Sequence, residues 1–531
     1  MVFRFKSQTL IFFTALYYVL FLNISLWKKI VNLSDFSSLS VSLFFISLWG
    51  AYFLALNIFF NFLFLPYIAR PLMSLITLLS ALVSYSMDTL GIQYDTEMIR
   101  NIFHTDAKEA LELINFKSVM WFFGFGIIPA SLLWLVKIDY GKPLWRELRN
   151  RIVNVLLSFA LLCVIGLVFY KEYSVSFRMH KSLKYLINPT NYIFSTIKYS
   201  KSFYQPKKSF MPIGLDAHKS QLGEKLRKKV LLIVVIGETA RSQNFSLNGY
   251  HVETNPLLAQ KKVISLKNVS SSGTSTAFSL PCMFSRHARK DCKADIAQTE
   301  EGLLDILSRA GFKVLWKENN SGCKGVCDRI PTQKLRENLR ENEESYDENL
   351  LEGLQEYINQ LQGDAVIFLH QMGSHGPAYY KRYPKPFKRF TPTCETNQIE
   401  SCGQSELINT YDNSILYTDY VLSKVIDLLQ ANPQFYTGMM YVSDHGESLG
   451  EKGIYLHGAP YVIAPKEQTH IPWIIWFSDE FIKDFHLDLK RLKKDAEVKS
   501  YSHDNLFHSL LGLLHISTQV YDKKLDIFLE N

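Results

Sequence analysis

Acidic and imidazole side chains follow two apolar segments of this chain, at the point where each segment ends. Glu238 comes after the run V-L-L-I-V-V-I-G, and Asp444 and His445 come directly after M-M-Y-V-S. Short apolar runs of this kind are typical of buried parallel strands, whose carboxyl ends meet at one edge of a sheet. Carboxylate oxygens and imidazole nitrogens are ligands that zinc prefers. The three side chains therefore predict a zinc site at that edge.

Other polar residues follow further strand-like runs. His370 and His375 come after A-V-I-F-L, Lys324 comes after V-L-W, and His457 lies in the glycine-containing segment Y-L-H-G. Each has an ordinary alternative explanation, because a post-strand polar residue often caps a helix or hydrogen-bonds within a loop. Taken together with the carboxylates, they predict several imidazoles converging on one sheet edge.

A hydroxyl-rich segment, S-S-S-G-T-S-T-A-F-S at 270–279, enters a predicted helix. A helix N-terminus favours an alkoxide or a phosphate, because its first backbone amides are unpaired and its dipole is positive there. An ordinary Ser/Thr helix cap is the alternative. The neighbouring metal ligands favour the nucleophile, since a hydroxyl needs a base or a metal to react at neutral pH.

The elements that must position these residues lie in a chain of two contrasting parts. Its 531 residues, 20% charged and with a net charge of +8, exclude a disordered chain, a collagen-like repeat and a small disulfide scaffold. Uncharged apolar runs long enough to cross ~30 Å of hydrocarbon occupy residues 10–27, 41–65, 71–87, 119–136 and 152–170. We therefore predict a transmembrane domain of five helices over residues 1–170.

Basic residues flank these runs unevenly. They precede the first run, separate the second from the third, and are densest between the fourth and the fifth: Arg4, Lys6, Arg70, Lys137, Lys142, Arg146, Arg149 and Arg151. The excess of Lys and Arg makes that side cytoplasmic, although Lys28 and Lys29 argue for the opposite orientation. An odd number of spans then exports everything after residue 170.

Six of the seven cysteines fall in the exported part, and Cys163 lies in the fifth apolar run, where we expect a buried apolar residue. We pair the six by their nearness in the sequence, since an oxidising compartment permits disulfides. The expected pairs are Cys282–Cys292, Cys323–Cys327 and Cys394–Cys402. A zinc cluster is the alternative, but C-x-x-x-C is poor spacing for a tetrathiolate site.

We predict that residues 171–222 form interfacial helices and a linker. Their basic side chains either contact lipid phosphates or are simply solvated. Beyond them, residues 223–531 alternate strand-like and helical patterns. Strands are predicted at 230–236, 312–316, 365–369 and 439–442, and helices at 302–310, 346–361 and 407–429. This alternation predicts an α/β domain with a mostly parallel sheet flanked by helices.

These motifs, in this order, resemble the phosphoethanolamine transferases of the alkaline phosphatase superfamily, and specifically the lipid A enzymes behind polymyxin resistance. The matching runs are I-G-E-T-A-R at 236–241, G-T-S-T-A at 273–277, H-Q-M-G-S-H-G-P at 370–377, S-D-H-G-E-S-L-G-E at 443–451 and Y-L-H-G at 455–458. The resemblance implies an alkaline-phosphatase-like domain with one tight zinc bound by Glu238, Thr276, Asp444 and His445. It also implies that Thr276 is the catalytic residue, a nucleophile that becomes phosphorylated.

The resemblance further implies two groups of substrate-binding residues. One group, His375 and His457 with Lys324 nearby, would hold the substrate phosphate or a second zinc. The other group matches positions that recognise the phosphoethanolamine head group, and its i, i+4, i+8 spacing predicts one face of a helix: Asn101, Thr105 and Glu109.

The activity implied is transfer of phosphoethanolamine from phosphatidylethanolamine to a lipid A phosphate, at the bacterial inner membrane with the catalytic domain in the periplasm. We expect a monomer that contacts membrane lipids and binds no nucleic acid. The alternatives are transfer to a lipopolysaccharide core sugar, a membrane-anchored hydrolase, and a binding protein with a degenerate site. Sulfatase chemistry is disfavoured, because C-M-F-S-R at 282–286 has Phe284 where the sulfatase pattern has proline.

Overall fold

The computed structural model describes residues 4–33, 39–105, 107–141, 143–173, 181–203, 209–335 and 345–529. Residues 174–180 and 204–208 of the predicted linker lie outside the described residues. The chain divides into two compact units. The helical unit comprises Met1–Ile99 and Ile114–Phe203, and the sheet unit comprises Arg100–Leu113 and Tyr204–Asn531.

The helical unit holds the apolar runs. Within its described part, four helices are long and apolar enough to cross a membrane, namely Ser42–Leu63, Ala69–Thr89, Phe116–Leu135 and Trp145–Val168. A fifth span exists if the bent pair Ser7–Phe21 and Ile24–Asn32 crosses as one. The described α-helices of this unit are Ser7–Phe21, Ile24–Leu33, Leu39–Leu63, Ala69–Thr89, Phe116–Phe122, Ile128–Leu135, Leu144–Val168 and Thr190–Phe203, with a π turn at Phe123–Ile127. A further helix, Thr96–His104, begins in this unit and ends in the other.

The first predicted span is bent by 51° instead of running as a single straight helix. The bend occurs at Asn23, whose side-chain amide donates to the carbonyls of Tyr18 at 2.9 Å and Asn188 at 2.8 Å. Its side-chain oxygen accepts from the Asn188 amide at 2.9 Å. A polar side chain that takes over helix carbonyls interrupts the helical ladder, which explains the break.

Apolar side chains cover the outside of the helix Leu144–Val168. Leu157 is 61% exposed and Leu167 is 78% exposed, which suits a helix surrounded by hydrocarbon. Cys163 is also exposed, so the expectation that it is buried was wrong. It shares the outer surface of this helix, which the other helices of the unit leave uncovered.

The sheet unit is built on parallel strands. Numbered along the chain, the described strands are β1 Arg4–Lys6 and β2 Lys137–Asp139, which pair in the helical unit, and then β3 His218–Lys219, β4 Lys229–Gly237, β5 Ile264–Ser270, β6 Lys313–Glu318, β7 Thr332–Lys334, β8 Ala365–His370, β9 Phe435–Ser443, β10 Ser448–Leu449, β11 Tyr455–Leu456, β12 His470–Phe477, β13 Ser500–Ser502 and β14 Ile516–Ser517. In the described residues, eight of them form one sheet in the order β13-β5-β12-β9-β4-β8-β6-β7, in which β12 runs against its neighbours. The predicted strands β4, β6, β8 and β9 are confirmed as its centre.

Helices flank this sheet, among them Gln404–Gln430 and Leu489–Val498. The described α-helices of the sheet unit are Ala107–Glu112, Gln221–Glu224, Pro256–Gln260, Thr276–Met283, Ile296–Thr299, Leu303–Arg309, Leu354–Asn359, Gln404–Gln430, Lys466–Thr469, Asp479–Asp484, Leu489–Val498 and Leu506–Leu513. The predicted helix at 346–361 is instead a 3₁₀ turn, Asp347–Leu351, followed by Leu354–Asn359. Gly353 separates them with a φ of 70°, a left-handed conformation that ends one helix and starts the next.

Strand β4 is the centre of the core. It pairs in parallel with β8 on one side and β9 on the other, and every residue from Val230 to Gly237 is buried. A strand covered on both faces must be apolar throughout, which is why the run V-L-L-I-V-V-I is continuous.

We predict that Leu232→Ala lowers the thermal unfolding midpoint of the sheet unit. Leu232 is fully buried, and truncating such a leucine costs about 2–5 kcal/mol because a cavity replaces packed atoms. Val498→Ala is the control, since Val498 is 68% exposed and should leave the midpoint unchanged. Equal midpoints for the two variants would contradict the packing described for β4.

Candidate active site

Two carboxylates meet where the paired strands β4 and β9 end. Gly237 lies opposite Ser443 in the strand register, so the next residues, Glu238 and Asp444, come side by side. The Asp444 amide donates to the Gly237 carbonyl at 2.9 Å and ties the two strand ends together. This is the edge at which parallel sheets concentrate chemistry, as the sequence predicted.

A potential metal site lies at this edge. Glu238, Asp444 and His445 are fully buried, and each offers a ligand atom within 4.8 Å of the others. The Nδ1–H of His445 donates to the Gly446 carbonyl at 2.9 Å, which leaves Nε2 to face the carboxylates. Oδ2 of Asp444 has no hydrogen-bond donor among the described residues. A buried carboxylate oxygen without a hydrogen-bond donor, beside an imidazole nitrogen that faces the carboxylates, fits a divalent cation such as zinc.

The charges of these groups also fit a cation. Burial raises the pKa of Glu238, and burial together with the nearby Glu238 carboxylate raises the pKa of Asp444. Burial lowers the pKa of His445, which keeps its imidazole neutral. Two buried carboxylates are costly without a positive charge between them, and a bound dication offsets that cost.

The Thr276 hydroxyl faces this cluster. Its Oγ1 lies 3.3 Å and 3.1 Å from the two carboxylate oxygens of Glu238 and 3.3 Å from Nε2 of His445. Ser275, not Thr276, is the N-cap of the helix Thr276–Met283, so Thr276 is free of the capping role. Thr274 instead donates to the Ala459 carbonyl at 2.7 Å. The hydrogen bonds thus distinguish the two threonines, because only the Thr276 hydroxyl faces the cluster.

Two further imidazoles lie beside the cluster. The rings of His445 and His457 are 4.6 Å apart, and those of His457 and His375 are 5.3 Å apart. The Glu447 carboxylate lies 2.9 Å from Nδ1 of His457 and holds that ring in place. The same carboxylate accepts from the Tyr379 hydroxyl at 2.6 Å. Both histidines therefore belong to the site, whereas His370 does not. His370 is fully buried against Trp316, and burial lowers its pKa to about 3.

Glu109 reaches the same site from the segment Arg100–Leu113. Its carboxylate lies 3.0 Å from Nε2 of His375. Burial alone would lower the pKa of His375, but the Glu109 carboxylate raises it to about 9. Burial would likewise raise the pKa of Glu109, and His375 lowers it to about 2. The two therefore form a charged pair at neutral pH.

The other predicted substrate-binding residues occupy different surroundings. The helix Thr96–His104 ends before Thr105, whose hydroxyl donates to the Asn101 carbonyl at 2.8 Å, and a separate helix, Ala107–Glu112, carries Glu109. The expected single helical face is therefore wrong, because the first helix ends before the second position and the third position lies in another helix. The Lys324 ammonium donates to the carbonyl and hydroxyl of Ser321 at 3.0 Å and 3.1 Å.

Residues outside the expected ligand set also support the site, and Asn320 among them follows the same strand-like run, V-L-W, as Lys324. Asn320 donates to Glu238 Oε2 at 2.8 Å. His503 accepts from the Ser272 amide at 3.0 Å and its Nε2 lies 2.9 Å from the Ser443 carbonyl, so it joins the loop before Thr276 to β9. Glu447 was visible in the S-D-H-G-E motif, but the polar stretch K-S-Y-S-H-D-N around His503 offered no comparable signal.

Gly373 must be a glycine in the loop that carries His375. Its φ is +54°, and a Cβ there would lie 2.6 Å from the Glu238 carbonyl oxygen. Asp347 holds this loop by accepting from the amides of Met372 at 2.8 Å and Gly373 at 2.9 Å. The loop after β8 is thereby held directly against the backbone of Glu238.

The cysteines form disulfides. The structure joins Cys282 to Cys292, Cys323 to Cys327 and Cys394 to Cys402, the pairs expected from nearness in the sequence. Cys323 and Cys327 lie near Glu318, but the disulfide removes their thiolates as metal ligands. The same reasoning excludes Cys282 as a sulfatase-type nucleophile.

Two family models match different parts of this chain, and related transferases match most of its length. A sulfatase family model matches residues 231–516, and a family model described as phosphoethanolamine transferase EptA/EptB matches residues 52–204. Phosphoethanolamine transferase EptA of Escherichia coli strain K12 is 42% identical over 97% of this chain and 95% of its own. Phosphatidylethanolamine transferase Mcr-1 of Escherichia coli is 40% identical over 77% of this chain and 78% of its own.

A solved structure agrees over the whole length. The integral membrane lipooligosaccharide phosphoethanolamine transferase A of Neisseria meningitidis superposes with a TM-score of 0.95 and 38% sequence identity. The match covers 99% of this chain and 99% of that chain, so both the apolar helices and the sheet unit have counterparts there.

We predict that Asp444→Asn lowers the zinc content of the purified full chain, because an amide is a weaker ligand than the carboxylate it replaces. Elemental analysis after exposure to zinc measures the effect. Asp412→Asn is the control, since Asp412 is also fully buried but its oxygens accept from Asn244 and Tyr250. Unchanged zinc in the Asp444 variant would remove this carboxylate from the ligand set.

Proposed function

This chain belongs to the phosphoethanolamine transferase family of the alkaline phosphatase superfamily, and we propose that it transfers phosphoethanolamine from phosphatidylethanolamine to a phosphate of lipid A. The observation that supports this reaction is the Thr276 hydroxyl, 3.1 Å from Glu238 and 3.3 Å from His445. A hydroxyl beside a buried set of metal ligands has the surroundings of a nucleophile. Modified lipid A carries less negative charge, which weakens its attraction for cationic peptides such as polymyxin.

The reaction has two steps. The Thr276 oxygen attacks the phosphorus of phosphatidylethanolamine, the bond to the glycerol oxygen breaks, and diacylglycerol leaves with the proton that Thr276 loses. An oxygen of a lipid A phosphate then attacks the phosphorus of the phosphothreonine. The bond to Thr276 breaks, and its oxygen takes up the proton that the lipid A phosphate loses. Each step leaves one phosphorus–oxygen bond in place of another, so positioning and charge stabilisation do most of the work.

The ligand set supports one tightly bound zinc, held by Glu238, Asp444 and His445 with Thr276. A bound zinc supplies a lower pKa for the Thr276 hydroxyl and positive charge for the reacting phosphate. The residues themselves orient the hydroxyl, since the Glu238 carboxylate accepts its hydrogen bond. Asn320 holds Glu238 in that orientation at 2.8 Å.

The two other histidines are suited to the substrate phosphate. The His375 imidazolium supplies positive charge, and Glu447 holds His457 so that its Nε2 is free for a ligand. A second zinc on His375 and His457 is the alternative use of these side chains. Lys324, Asn101 and Thr105 remain proposed contacts for the rest of the head group.

The proposed location is the bacterial inner membrane, with residues 1–170 spanning it, 171–222 linking, and 223–531 forming a periplasmic catalytic domain. Basic segments meet at one end of the helical unit, since β1 with Arg4 and Lys6 pairs with β2, and Arg70 donates to the Val136 carbonyl at 2.6 Å. One basic end supports the cytoplasmic assignment. A monomer suffices, because every proposed site residue comes from one chain.

We predict that Thr276→Ala abolishes the covalent phosphoethanolamine adduct and lowers transfer by at least about 10³-fold. Intact-protein mass spectrometry after incubation with phosphatidylethanolamine measures the adduct. Thr274→Ala is the matched control and should still form it, because the Thr274 hydroxyl is hydrogen-bonded to the Ala459 carbonyl. An adduct that persists in the Thr276 variant would refute this nucleophile.

We also predict that vesicles containing labelled phosphatidylethanolamine yield labelled lipid A when the full chain and lipid A are both present. Chromatography of the lipid and aqueous phases measures the products. Release of free phosphoethanolamine with no labelled lipid A would identify a hydrolase instead. Label on a core sugar of lipopolysaccharide would identify the alternative acceptor.

A further inference from the structure

Arg382 joins two parts of the sheet unit that are far apart in the sequence. Its Nε–H donates to the main-chain carbonyl of His375 at 2.6 Å. Its Nη2 donates to the carboxylate of Glu112 at 2.5 Å. The side chains of Arg382 and Glu112 are 10% and 11% exposed, so this ion pair is largely shielded from water and salt.

A second contact fixes the same end of the helix Ala107–Glu112. The side-chain amide of Asn397 donates to the Glu112 carbonyl at 2.6 Å. Glu112 is therefore held through its main chain and its side chain at once. The Arg382–Glu112 ion pair is therefore one of two contacts that hold this end of the helix.

Glu109 lies three residues before Glu112, one turn earlier in the same short helix. Residues three apart in a helix share a face, so the contacts of Glu112 set the position of Glu109. Arg382 also donates to the main-chain carbonyl of His375, and the imidazole of His375 lies 3.0 Å from the Glu109 carboxylate. Arg382 thus holds His375 directly through its Nε–H, and it holds Glu109 indirectly through the bond from Nη2 to Glu112.

A small cavity lies among these groups, lined by Glu109, Glu112, Asn320, Met372, His375 and Arg382. The Glu109 carboxylate and the His375 imidazole face each other there at 3.0 Å, as acceptor and donor. Phosphoethanolamine also carries a donor and an acceptor close together, an ammonium two carbons from a phosphate. If the head group displaces this contact, Glu109 accepts from the ammonium and His375 donates to a phosphate oxygen, so each side chain keeps a polar partner.

We propose that Arg382 is a positioning residue that selects the phosphoethanolamine head group by holding Glu109 and His375 on facing sides of this cavity. This inference rests on the proposed function and assigns its head-group selectivity to the Arg382–Glu112 bridge. Arginine suits the role, because its planar fork donates in two directions at once. A lysine has one ammonium and would keep one partner at the expense of the other.

The test uses the full chain in vesicles with lipid A as acceptor, and compares Arg382→Lys and Glu112→Gln with the wild type. We expect each variant to raise the KM for phosphatidylethanolamine about 10-fold, the loss typical of one charged hydrogen bond. The kcat at saturating donor should change less than about 2-fold, since Thr276 and the metal ligands are untouched.

Selectivity provides a readout that a merely structural role would not move. The wild type should discriminate against phosphatidylcholine, whose quaternary ammonium has no N–H to donate to Glu109. Both variants should lose about 10-fold of that discrimination. The double variant should be no worse than the more impaired single variant, because the two changes break one bridge.

Glu395→Gln is the matched control, since Glu395 pairs with Lys388 in a bridge whose carboxylate is 58% exposed. It should keep the wild-type KM and selectivity. If Arg382→Lys fails to fold, Glu112→Gln retains the shape of the side chain and carries the test. Unchanged KM and selectivity in Glu112→Gln, with Thr276→Ala still inactive, would overturn this inference alone. Transfer that survives Thr276→Ala would overturn the proposed function instead.

Discussion

The parallel pairing of β4 and β9 brings two carboxylates together inside the protein, and most of the site can be understood from that constraint. Glu238 and Asp444 follow opposed residues in the register, and both are fully buried. Neighbouring buried carboxylates repel each other and lose their hydration, so burial raises the pKa of both. A dication removes the penalty, which makes metal binding and correct folding of this edge parts of the same equilibrium.

The surrounding loops are then held by polar groups that have no part in the core. Asp347 holds the loop of His375 through two backbone amides, and His503 links the loop before Thr276 to the end of β9. Glu447 does the same for His457. These buried side chains use their hydrogen bonds on backbone and imidazole groups, which limits the motion of the side chains that line the site.

The segment Arg100–Leu113 lies in the sequence between apolar helices of the helical unit, yet its contacts belong to the sheet unit. Through Glu109 and Glu112 it contributes the negative charges that face His375 and Arg382. The sheet unit therefore draws part of its charged cluster from a segment that lies far from its strands in the sequence.

The sequence by itself determined the apolar helices, the four central strands and the polar residues that follow them. A strand buried on both faces must be apolar throughout, and a helix in hydrocarbon must be long and uncharged, so both leave local patterns. The motif resemblance pointed to Thr276, Glu238, Asp444 and His445. Only the tertiary structure decided that His370 faces Trp316 instead of the site, that Asn23 bends the first span, and that Arg382 contacts Glu112. Each of these depends on a partner more than a hundred residues away or on which face of a strand end a side chain occupies, and local patterns carry neither.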